Sequence, residues 1–178
     1  FNGPFGLDGA AAVQRSLGAE GARRAGDGDG ARHHRSTPPG TDGTRRDDDT
    51  ADANLESAMA SLVAKSLVQR RPAPGGPRFE LLGMLRAFAV EALRAEGELE
   101  PARRAHLAWC LDVASAASAT LESSAPRAAI DRLVAEHDHL RAALAWSLEA
   151  AGDGETARQG ARLAIALERF WLVRGRPA

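Results

Sequence analysis

Along most of this chain apolar residues recur at three- and four-residue intervals, the spacing that lays one stripe along an α-helix. In "FGLDGAAAVQRSL" the positions Leu7, Ala11, Val13 and Leu17 predict a short helix, with Asp8 near its N-terminus. In "NLESAMASLVAKSL" Leu55, Met59, Leu62 and Ser66 keep helical spacing, and Asn54 is placed to cap a helix beginning there. The pattern then alternates: "SLVQRR" and "PRFELL" read as two short strands around the turn "PAPGG". A helix follows at once, with Leu81, Leu85, Phe88, Ala89 and Ala92 as its stripe. Pro101 suits the first turn of a helix running to about Leu121. Pro126 opens another, with Ile130, Leu133, Val134, His137, Leu140 and Leu144 on one face, and "AGDGE" breaks it. The last helix carries Leu163, Leu167, Phe170 and Trp171.

The fold class this predicts is mostly α: a winged helix-turn-helix with a small two-stranded β wing, followed by antiparallel, tetratricopeptide-like helical repeats. No clean repeat of about 34 residues is visible. The expected division is a winged-helix domain over 1–97, interrupted at 18–53, and a truncated helical domain over 98–178. From Gly18 to Ala53 there is no Val, Ile, Leu, Met, Phe or Trp. That stretch has too little apolar surface to offset its ordering entropy, so 18–53 is expected to be disordered. A chain that starts on Phe1 and stops at "FWLVRGRPA" is expected to be a piece of a longer protein.

Composition narrows the chemistry. Alanine supplies much of the 44% hydrophobic fraction while aromatics are 4%, which favours close-packed helices over a β-sandwich. The net charge of −1 gives no bulk attraction to nucleic acid or to an anionic membrane. Lys65 is the only lysine, and Cys110 is alone, so neither a disulfide framework nor a cysteine-based zinc site can form within the chain. No run approaches the about 18 apolar residues of a membrane span, and no signal peptide is visible, so a cytoplasmic location is expected.

The densest candidate chemistry is Glu136–His137–Asp138–His139. Residues two apart on a helix point about 200° from each other, so His137 and His139 cannot share one metal there. Glu136 and His139 do share a face, as in the Glu-x-x-His of di-iron bundles, but no second copy exists. His137 falls in the apolar stripe and is expected to bury one ring face. His33 and His34 sit in the cationic 18–53 stretch and make a poor ligand set. Cys110 is expected to be a buried small hydrophobe. "GDGDG" at Gly26 to Gly30 follows no strand and carries aspartates that repel phosphate, and no G-x-x-x-x-G-K-[ST] motif is present. Asn54 to Lys65, in the position of a DNA-reading helix, has no arginine. Arg70, Arg71 and Arg78 in the wing are possible phosphate contacts, too few for sequence-specific DNA binding to be expected.

Five segments, "MASLVAKSLV", "RFELLGMLRAFAVEAL", "RRAHLAWCLDVA", "EHDHLRAALAWSLEA" and "LAIALERFWLVRG", come in an order and spacing that resembles the region after the nucleotide-binding module of STAND-class (NB-ARC-like) signal-transduction ATPases. These include the large LuxR-type and SARP-type bacterial transcriptional regulators. "FNGPFGLDGAAAV" resembles the start of their winged helix, and the match covers about Phe1 to Val13 and Leu55 to Gly175. Gly83 departs from the family's glutamate, His139 from its asparagine, and 18–53 is longer than its short acidic connection, as an insertion or a shifted reading frame would each make it.

The resemblance implies a regulatory, non-catalytic segment that couples a nucleotide switch module to a helical sensor. Leu62, Val63, Leu67 and Val68 would be winged-helix core and Arg86 an inter-module contact. No catalytic, cofactor-binding or metal residue is implied. ATP or ADP and Mg are expected only in a module upstream of Phe1. The implied partners are that module, further helical repeats, and a protein or small-molecule effector, with no membrane. A stand-alone winged-helix DNA-binding regulator and a helical metalloprotein are the two rivals.

Overall fold

The computed structural model describes residues 3–26, 41–73, 75–121, 126–150 and 153–174. Among them the chain is mostly helical, with α1 (Leu7–Gly26), α2 (Thr41–Ala64), α3 (Gly83–Ala95), α4 (Leu99–Leu121), α5 (Pro126–Ala135), α6 (His137–Glu149) and α7 (Gly154–Arg174). One antiparallel pair of strands, β1 (Val68–Arg71) and β2 (Arg78–Leu81), separates α2 from α3. The hairpin forms where alternation and turn residues predict it, and Gly75 and Gly76 take φ of 90° and 118°, which favours glycine. Phe5 bridges Phe79 from the other side of β2, exchanging two backbone hydrogen bonds of 2.8 Å, so the N-terminal segment extends the small sheet.

Two apolar clusters hold these elements. Phe5, Met59, Val68 and Phe79 form the smaller one, under the sheet, with Leu62 and Val63 packed against it. The larger one is centred on α4, whose Leu107, Cys110, Leu111 and Ala114 meet Leu133, Leu140, Leu163, Leu167 and Phe170. α4 packs against α1, α5, α6 and α7. Small residues permit the closest approaches. A Cβ on Gly9 would lie 2.8 Å from the Trp109 ring, and one on Gly160 would lie 2.6 Å from the Cβ of Ser147.

Five expectations are corrected. The 18–53 stretch is not without structure at its ends, because α1 continues through Gly26 and α2 begins at Thr41; residues 27–40 lie outside the described ones, His33 and His34 among them. Once a packed segment has nucleated a helix each added residue costs little, so 41–53 runs on as helix although its Asp, Thr and Gly are poor helix formers. Asn54 is accordingly inside α2, not at its cap. The stripe on α3 is covered only in part: Leu81 belongs to β2, Leu85 and Ala89 are half-buried, and Phe88 is 72% exposed beside Met84 at 88%.

The fourth correction concerns the helix opened by Pro126. It bends at Glu136, whose φ and ψ are −99° and 7°, although backbone hydrogen bonds run on through the bend. The changed phase leaves Val134 exposed and His137 half-buried, and turns His139 into the interior. Trp171 is likewise 41% exposed, where the sequence placed it on the inner stripe of α7.

Helix ends are closed by backbone geometry. Ser66 (φ 57°) follows α2, with its N–H donating to Val63 and that of Leu67 to Leu62, a Schellman closure without glycine. After α3 the same closure has Gly97 at φ 70°.

Candidate functional site

The described polar groups converge where the N-terminal segment, β2 and the α5–α6 bend meet. Arg78 projects from β2 and donates through Nη1 and Nη2 to the two carboxylate oxygens of Glu136, at 2.8 and 2.7 Å. The Glu136 side chain is 0% exposed and that of Arg78 is 13% exposed. This is a bidentate, desolvated pair. Arg78 also donates through Nε to the Pro4 carbonyl at 3.0 Å. His139 Nε2 lies 3.2 Å from the same oxygen, so the Nε2–H tautomer is the one that donates. One carbonyl at the start of the chain thereby ties the hairpin to the helical core.

Arg132 flanks the node, 3.5 Å from Glu136 and donating to Asp8 on α1. Burial would raise the Asp8 carboxyl, but the hydrogen bond and charge of Arg132 hold it below the usual range. The hydrogen bond to Glu136 raises the Arg78 guanidinium further against the opposing effect of burial.

Behind the node, His139 packs edge-on against His106 and Trp109, with ring centroids 5.6 and 5.9 Å away. Burial, with the His139 ring beside it, lowers His106 to about 3. Burial also lowers His139, opposed by its hydrogen bond to Pro4. Cys110 Sγ lies 3.8 Å from His106 Nε2, and burial pushes its thiol up. A neutral thiol beside a neutral imidazole is the opposite of the thiolate–imidazolium pair that activates cysteine.

The cations singled out in the sequence are not gathered into one patch. Arg78 is turned inward on Glu136, Arg71 pairs across the hairpin with Glu80 at 2.6 Å, and Arg70 is exposed. Arg86 is exposed on α3, the helix that carries Met84 and Phe88. Of the Glu136–His139 cluster, Glu136 and His139 both reach the Pro4–Arg78 node, while His137 lies 3.6 Å from the exposed Asp138. No group of three or more His, Cys, Asp or Glu among the described residues could hold a metal ion. No described helix is long and apolar enough to cross a membrane. Sequence reasoning missed the Arg78–Glu136 pair because 58 positions separate its members and nothing in either segment names the other as its partner. Comparison with protein-family models, curated proteins and solved structures returned no match to this chain.

Proposed function

We propose that this chain is a non-catalytic regulatory segment coupling a nucleotide-binding switch module, carried outside it, to a helical sensor region of a transcriptional regulator. In this reading the hairpin and its flanking helices are a winged helix and α4–α7 the start of a tetratricopeptide-like array. The observation that carries it is the Pro4–Arg78–Glu136–His139 node, which joins the hairpin to the α5–α6 bend through buried, directional contacts. A displacement of the hairpin then has to move the bend or break the pair. Arg86, Met84 and Phe88 on α3 supply an uncovered surface for the switch module. ATP, ADP and Mg bind that module and not this chain.

The test is the size of the native product, by immunoblot of the source cells with an antibody against residues 115–176. A band several times larger than 18.7 kDa is expected, and a band at 18.7 kDa overturns the reading. The rival of a stand-alone DNA-binding wing is disfavoured by the engagement of Arg71 and Arg78. Absence of salt-dependent binding to random duplex DNA removes it.

A further inference from the structure

A cavity of about 450 Å³ lies between α1, α3, α4 and α6, apart from the ionic node. Val13 and Leu17 form one wall, Val90 and Leu93 on α3 another, and His106 and Trp146 line the side toward the core. That volume falls in the range of small-molecule sites, and an apolar lining with few polar groups is their usual character. It equals about one turn of a helix with its side chains, too little to seat a docked helix.

The charges at this cavity are of both signs. Arg103 is held by Glu100 at 3.0 Å and Glu149 is exposed, so neither an anion nor a cation is favoured. The His106 imidazole also lines the cavity, with Nε2 3.8 Å from Cys110 Sγ and the ring neutral because burial lowers its pKa to about 3.

We propose that this cavity binds a small, uncharged, mostly apolar molecule with an aromatic or acyl body that packs against the His106 ring. Two features give such a ligand a consequence. It contacts α3, a helix with no buried residue of its own, and completes that helix's packing onto α4. It also touches His106, whose ring lies 5.6 Å from that of His139, the donor to Pro4 in the node. This deepens the sensor part of the function proposed above and rests on it for its meaning, whereas the binding itself is a property of this chain.

The experiment is a fluorescence titration of the full chain with N-phenyl-1-naphthylamine, an uncharged aromatic amine. Saturable binding at one dye per chain is expected. Ala102→Phe, which fills the cavity from α4, weakens it at least tenfold with helical circular dichroism unchanged. Should that variant fail to fold, Val90→Trp narrows the same space from α3. The double variant Met84→Gln/Phe88→Gln, on the exposed face of α3, leaves binding as it was. No saturable binding overturns the proposal, as does binding that survives a folded cavity-filling variant or is lost with the double variant. None of these results changes the size of the native product, so the two readings fail separately.

Discussion

Replacing Arg78 by alanine removes the bidentate partner of the Glu136 carboxylate, a group with 0% exposure in the parent chain. Arg132, 3.5 Å away and also engaged with Asp8, compensates poorly. Breaking a buried pair from one side costs about 3–5 kcal/mol, because the remaining charge stays desolvated. With a urea m-value of about 2 kcal/mol/M, that lowers the unfolding midpoint by about 2 M. Circular dichroism of the full chain in a urea series reads the shift directly. The companion variant Arg78→Met/Glu136→Met removes both charges and keeps the volume, and should recover most of the loss, since apolar replacement of a buried pair is often neutral or better. A double-mutant cycle then assigns the difference to the pair. An Arg78→Ala midpoint within about 0.3 M of the parent, or a double variant no better than the single one, refutes the reasoning.

Three further outcomes follow from particular residues. His106 has its pKa lowered from 6.5 to about 3, so the unfolded chain takes up a proton that the folded chain refuses. Stability is therefore complete above about pH 6.5 and falls by up to about 1.4 kcal/mol per pH unit below it, with His139 shifted in the same sense; urea melts from pH 7.5 to 5.5 should show the decline and His106→Gln should flatten it. Ser66 holds a left-handed conformation at φ 57°, so Ser66→Gly should raise stability by about 1 kcal/mol, and a fall in midpoint would contradict the closure described after α2. Gly160→Ala should cost about 1–3 kcal/mol despite its better helix propensity, because the added Cβ meets Ser147, and Ser147→Gly should restore the loss when the two are combined.

What the sequence made legible is local. The hairpin was readable because strand alternation and the "PAPGG" turn are adjacent, and α4 and α7 because their stripes meet a core that wants nothing more than spacing. The bend at Glu136 was not readable, since its carboxylate turns to an arginine on another element and nothing in "VAEHDHL" records that partner. The full burial of His139, beyond the half-buried His137, follows from the same bend. The length of α1 and α2 escaped for a different reason: apolar spacing marks where a helix is packed and says nothing of how far a nucleated helix runs on past that stretch. Periodicity likewise gave α3 an inner stripe without saying whether anything lies against it, and Phe88 is uncovered.

The Pro4 carbonyl also fixes an order of assembly. Its two donors lie 74 and 135 positions further along, so the Pro4 segment cannot take its full place until the chain through His139 has been made. At about 5–20 residues per second the wait for His139 is roughly seven to thirty seconds, and pairing of Phe5 with Phe79 comes available about halfway through it. Extending the closed loop from the first donor to the second adds only about 0.5 kcal/mol of entropy, so capture by β2 is the costly step and the histidine a cheap lock upon it. The Pro4 segment thus waits first on β2 and then on α6, and during synthesis its fate is decided by whether β2 arrives before a competing edge does.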